Sequence, residues 1–267
     1  MPVRATAGIV VLSVLVAAGC GGRAGHALRS ERSTQVAHSA GVGRVATPVA
    51  LRSCRVGTQK IGSLRLAYGA AARRPLAVHA LPRAGKVVRR FGRLDLNGFP
   101  VVFGVTAERR GASCAAQWYR VQLPTLPNGS RGWVRAADVR LFTVRSRIVV
   151  DLGARTLALY RNGRSVLRAR VAVGAPSTPT PVGRYYVNER FLLSSPNGPF
   201  GVAALGISAH SDVLRDWVQN GPIALHGTDE PALIGEAASH GCVRLSNSAM
   251  KRLFRLAPAG TPVVIRS

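Results

Sequence analysis

Asn162-Gly163 lies between two apolar runs, Thr156–Tyr160 and Ser165–Val173. Asn and Gly both accept the left-handed backbone that a two-residue hairpin turn demands, so the dipeptide predicts an antiparallel strand pair. That constraint spreads outward. Ile148–Leu152 is a short apolar run and joins the pair as a third strand of a β-meander. The stretch from Gly174 to Gly183 carries too much proline for a helix or a central strand. Gly183–Asn188 reads as another strand. Ser246 or Asn247 would cap a helix over about Ser248–Ala257, and Thr261–Ile265 would close the sheet.

The same rhythm runs through residues 74–145. Leu76–His79, Lys86–Arg89, Val101–Val105, Trp118–Gln122 and Gly132–Val134 are strand-like. Turn clusters at Leu81–Gly85, Asn97-Gly98 and Leu126–Gly129 separate them. This predicts a small closed or near-closed β-barrel. Hydrophobic content of 47% supports packed cores. The expected architecture is mainly β, with a small barrel before a C-terminal β domain that contains one short helix.

The N-terminus reads as an address. Arg4 precedes an apolar stretch, Ala5–Ala18, that is shorter than the roughly 20 residues a spanning helix needs. Val16-Ala17-Ala18-Gly19-Cys20 resembles a bacterial lipobox, although Ala17 stands where Leu is usual. Residues 1–20 are therefore expected to be a signal with Cys20 as the lipidated residue. Residues 21–73 would follow as a flexible tether and lead-in. The implied location is the outer face of the cytoplasmic membrane or the cell wall.

The net charge is +26, and residues 21–147 carry 23 basic and 4 acidic side chains. One reading holds this half against anionic lipid or wall polymer. The other is solvated arginine from a codon-biased genome. The export signal argues against nucleic acid as a partner. Cys54 and Cys114 are candidates for a disulfide, which spacing alone leaves open. Cys242 is then an unpaired thiol in an exported protein, and such a thiol is a candidate reactive group.

The chemistry is concentrated late in the chain. Ile223-Ala224-Leu225 delivers His226-Gly227-Thr228, and Ser239-His240-Gly241-Cys242-Val243-Arg244-Leu245 follows after a loop. A thiol needs a nearby base to attack at neutral pH. His226 and Cys242 are 16 residues apart, so they would meet only if the loop returns to the same sheet end. Gly241 permits a tight turn and close substrate approach. The N–H groups of Gly241 and Cys242 would face an oxyanion. Two other readings compete. One is zinc held by His226, His240 and Cys242, with His210 as a further ligand. The other is a set of structural histidines beside an inert thiol.

These residues resemble the signature of the YkuD-type L,D-transpeptidases. The similarity extends over about residues 147–266, through Val173-Gly174, Thr178–Tyr186, Pro199-Phe200-Gly201 and Leu205–Ser208. The resemblance implies a β-sandwich catalytic domain over 146–267, with no cofactor and no metal. It implies Cys242 as nucleophile and His226 as base. His240, Gly241 and Gly227 would shape the site, and Arg244, Ser239 and Thr228 would contact substrate. The substrates would be peptidoglycan stem peptides, and carbapenems would acylate Cys242. Ala249 departs from the pattern, since many members place Asp there. Trp118–Leu123 and Gly132-Trp133-Val134 resemble the last strands of bacterial SH3-like domains, with the two tryptophans as core, rim or ligand platform. A monomer is expected. The alternatives are an L,D-carboxypeptidase on the same stems and a non-catalytic wall-binding lipoprotein. Asp229, Glu230 and Glu236 are candidates to attract an acceptor ammonium.

Overall fold

The computed structural model describes residues 55–83 and 85–267. The leader, Cys20, the tether and Cys54 lie outside the described residues. The described residues belong to one compact unit containing two large sheets.

The first sheet is antiparallel throughout. Its strands are β1 (Gly57–Lys60), β2 (Ala67–Ala72), β3 (Leu76–His79), β4 (Val87–Phe91), β5 (Val102–Arg110), β6 (Ala116–Gln122), β7 (Arg131–Arg135) and β8 (Val139–Val144). They run in the order β4-β3-β7-β6-β5-β2-β8, with β1 on β5. In β6, Tyr119 and Val121 point into a core with Val78, Phe103 and Val134. Trp118 faces the other way and is covered, with Trp133 and Ala107. Its ring meets His79 edge-on at 5.2 Å. The lead-in segment supplies β1 and β2. Strand β2 is poor in large apolar residues, and the Phe142 ring of β8 lies over its Gly69. A Cβ at Gly69 would sit 2.3 Å from that ring. Cys114 is disulfide-bonded.

The second sheet follows: β9 (Ser146–Asp151), β10 (Thr156–Arg161), β11 (Arg164–Arg170), β12 (Val173–Gly174), β13 (Gly183–Leu192), β14 (Ala203–His210), β15 (Pro222–His226), β16 (Ala237–Ser239), β17 (Val243–Arg244), helix α1 (Asn247–Leu256) and β18 (Pro262–Arg266). The main path is β11-β10-β9-β18-β13-β14-β15-β17, and β12 pairs with β16 apart from it. Asn162 and Gly163 have φ of 51° and 83°, and β10 pairs antiparallel with β11, as the turn chemistry predicts.

Strand β13 makes the sandwich. Its first half, Gly183–Tyr186, pairs with β18, and its second half, Val187–Leu192, pairs with β14. The path therefore bends over itself. Leu157 and Leu159 from one end share a core with Leu225 and Val243 from the other. Helix α1 packs Met250 and Leu253 into that core. Its N-cap is Ser246, whose hydroxyl accepts the Ala249 N–H at 3.3 Å.

The two sheets grip each other along β13 and β14. Gln122 Nε2 donates to Arg184 O at 2.9 Å, and Tyr186 Oη donates to Gln122 O at 3.3 Å. The Tyr186 ring occupies space left by Gly104, where a Cβ would meet it at 2.9 Å. Asn128 exchanges two hydrogen bonds with the backbone of His210. Tyr186→Ala would empty a fully buried aromatic site at this junction. The expected loss is about 3–5 kcal/mol, read as a lower urea midpoint of unfolding.

Candidate active site

Two short parallel strands bring the motif together. β15 pairs with β17 in the register Leu225↔Val243 and His226↔Arg244. Side chains alternate along a strand. Leu225 and Val243 point into the core, so His226 and Arg244 share the opposite face. The same alternation puts Ala224 and Cys242 on that face. The Ala224 N–H donates to Cys242 Sγ at 3.4 Å, which fixes the thiol beside β15. Residues 16 apart in sequence thus become neighbours on one sheet face.

His226 is buried, and its Nδ1–H donates to Gly227 O at 2.6 Å. That bond selects the tautomer and leaves Nε2 as the basic nitrogen. Burial pushes the imidazole down to about 4, aided by the Arg244 charge and opposed by Gly227 O and Asp229. Burial also pushes the Cys242 thiol up, with the Ala224 N–H and Arg244 pulling the other way. At neutral pH both the thiol and the imidazole therefore rest uncharged. Phe200 meets the His226 ring edge-on at 4.9 Å.

The nucleophile loop is held from within. Ser239 Oγ donates to Cys242 O at 2.5 Å and accepts the Gly241 N–H at 3.2 Å. Ser239 is 1% exposed, so its hydroxyl holds the loop and does not face substrate as expected. The Gly241 N–H is likewise occupied. Among the described residues, the Cys242 N–H meets no acceptor. Gly241 has φ +110°, and a Cβ there would lie 2.9 Å from Ile223 Cδ1. The proline-rich segment covers the loop, since Thr178 Oγ1 and Ala175 N both donate to Ser239 O.

Thr228 also serves the scaffold. It is buried, and its hydroxyl accepts the Glu230 N–H at 3.0 Å, so it too departs from the expected substrate contact. Arg244 Nη1 binds Glu230 Oε2 at 2.7 Å, and Arg244 Nε is buried without a partner. Glu236 lies 3.6 Å from Arg155. Two of the three acids considered for an acceptor ammonium are thus already paired. His240 lies outside β17, with the Trp217 ring 5.5 Å away. Among the described residues no three His, Cys, Asp or Glu side chains are placed to hold a metal ion, so the zinc set of His210, His226, His240 and Cys242 is not assembled.

Sequence reading missed the role of Asn247. Its Oδ1 accepts the N–H groups of Val202 (3.3 Å) and Thr228 (3.2 Å), while Nδ2 donates to Pro196 O at 3.3 Å. Gly201 and Gly227 both crowd this oxygen, and a Cβ on either would lie 2.1 Å from it. The Ser-Asn pair before the helix was the available signal, but it suggested only a cap.

Residues 145–265 match the model of the L,D-transpeptidase catalytic domain, YkuD. A Bacillus subtilis protein carrying the name L,D-transpeptidase YkuD is 36% identical over 124 residues, 46% of this chain and 68% of that protein. This chain belongs to the YkuD family of L,D-transpeptidases. Another family member, from Bacillus licheniformis, is 37% identical over 46% of this chain and 67% of its own length. Among solved structures, an Enterococcus faecium L,D-transpeptidase is similar at 26% identity and a TM-score of 0.33. The match covers 45% of this chain and about half, 49%, of that one.

Three outcomes follow from this YkuD site. Alkylation of Cys242 by iodoacetamide at pH 6 should run no faster than that of free cysteine, because no thiolate is preformed. The unfolded chain protonates His226 near 6.5 while the folded one waits until about 4. Stability should therefore fall as pH drops from 6.5 towards 4, by on the order of 2 kcal/mol at pH 5. A smaller drop in urea midpoint between pH 7 and 5 for His226→Gln would assign it. Asn247→Ala orphans two backbone donors and should cost about 2–3 kcal/mol, whereas Asn247→Asp, which keeps an acceptor, should cost less in the same assay.

Proposed function

We propose that this protein is a peptidoglycan L,D-transpeptidase with Cys242 as nucleophile and His226 as general base. The observation that carries this is the β15–β17 register, which sets the thiol and a tautomerically fixed, neutral imidazole on one sheet face. Membership of the family supplies the substrate class, tetrapeptide stems. As the thiol attacks the carbonyl of the third stem residue, its proton passes to His226 Nε2. The Cys242 N–H stabilises the oxyanion, and Arg244 adds positive charge beside it. Collapse breaks the C–N bond. His226 returns the proton to the departing D-Ala amine, leaving a thioester on Cys242. The amine of an acceptor stem then attacks the thioester and gives a proton to His226. The C–S bond breaks, and the thiolate recovers that proton.

Protonated His226 cannot act as base, and with its pKa near 4 it stays competent across neutral pH. Anchoring through Cys20 at the outer membrane face is part of the same proposal and is supported by the leader sequence. The first sheet then serves as more than a spacer, given its hydrogen bonds to β13 and β14.

Incubation with disaccharide-tetrapeptide, followed by mass spectrometry, tests the reading. Cross-linked dimer and free D-Ala are expected, with both lost in Cys242→Ala. His226→Gln should slow D-Ala release by roughly 10²–10⁴-fold. D-Ala without dimer would mark a carboxypeptidase, and no Cys242-dependent product would sink the enzymatic reading.

A further inference from the structure

A cleft of about 550 Å³ lies where the first sheet meets β13 and β14, within the ~300–1,000 Å³ range of small-molecule sites. Its character differs from the rest of the chain. The protein carries a net charge of +26, yet the charged side chains lining the cleft are Arg89, Arg90, Asp95 and Glu189, two of each sign. His210 also lines it, and burial pushes that imidazole towards its neutral form. Such a lining selects neither a polyanion nor a polycation.

Its polar atoms are also incompletely used. Asn188 Oδ1 and His210 Nδ1 are buried without a hydrogen-bond partner, and both residues line the cleft. Asn97 Nδ2 donates to Glu189 Oε2 at 2.9 Å, so the rim is ordered in advance. Leu94 and Leu126 add aliphatic surface. Amides, paired charges and aliphatic patches together suit a neutral ligand that carries hydroxyls and amides above a carbon-rich ring face.

The cleft is connected to the nucleophile by a row across the sheet. Glu189 on β13 pairs with Gly206 on β14, and Gly206 pairs with Ala224 on β15. The Ala224 N–H donates to Cys242 Sγ. Strands lie about 4.8 Å apart, so three steps place Glu189 about 14 Å from the thiol. Gly206 and Ala224 are half-buried and nearly bare of side chain, which leaves a shallow floor between the two. A stem peptide extended over three residues spans about 10–11 Å, and the acid linker that joins it to its sugar adds the remainder.

We propose that this cleft binds the acetamido-sugar chain to which the donor stem is attached, so that saccharide and scissile carbonyl are seated at once. This rests on the stem-peptide reading above. Full-length Cys242→Ala protein, titrated with chitotetraose by isothermal calorimetry, provides a test that needs no turnover. Saturable binding is expected, at least tenfold tighter than for cellotetraose, which lacks the acetamido groups. Asn97→Ala and Asn188→Leu should each weaken it at least fivefold, with thermal midpoints reporting whether the variants fold. Should Asn188→Leu not fold, Asn97→Ala on the exposed rim decides. No saturable binding, equal affinity for cellotetraose, or unchanged affinity in folded variants would overturn the proposal. A wild-type enzyme that cross-links stems while its Cys242→Ala form ignores chitotetraose would overturn this inference alone. Chitotetraose binding without any acyl transfer would uphold the saccharide site and remove the enzymatic reading instead.

Discussion

The register between β15 and β17 is the constraint on which the site depends. Two residues from each strand are paired in parallel, Leu225 with Val243 and His226 with Arg244. A one-residue slip would turn Leu225 or Val243 outward and send His226 or Cys242 into the core. The fold guards against this. Leu225 and Val243 are fully buried in the second sheet's core. Leu245 N donates to His226 O, and Arg244 exchanges two backbone bonds with Ala172. Hydrophobic burial on one face thus fixes where His226 and Cys242 sit on the other.

That arrangement sets two groups that both rest uncharged on one sheet face. Burial favours the uncharged forms of both His226 and Cys242. An ion pair would have to be desolvated at rest, and the site avoids that cost. In the proposed reaction, charge is created only when a carbonyl arrives to receive the sulfur, with Arg244 and the Cys242 N–H as the groups proposed to face it.

Much of the fold was legible in the sequence because its signals are local. Asn162-Gly163 specified the β10–β11 hairpin, the prolines between Gly174 and Gly183 excluded a helix, and Ser246 marked the start of α1. The His-Gly and Ser-His-Gly-Cys segments named residues that the β15–β17 register brings to one sheet face. What sequence left open was relational. No local pattern says that β13 divides its hydrogen bonds between β18 and β14. The Ala67–Ala72 strand was obscured because its residues are small, and at Gly69 the cross-strand Phe142 ring leaves no room for a side chain. The family resemblance implied Ser239 and Thr228 as substrate contacts, yet their hydroxyls bond the loops that carry them. The cleft was invisible to sequence, since its walls come from segments about a hundred residues apart.

Asn247 ties these relations together. Its single carbonyl oxygen accepts from the segment after Gly201 and from Thr228, while Gly201 and Gly227 crowd against it. Gly227 also supplies the carbonyl that fixes the His226 tautomer, and Phe200, beside Gly201, packs on the His226 ring. Displacement of the 196–202 segment would therefore reach His226 along two mechanical linkages at once, through Asn247 and Gly227 and through Phe200.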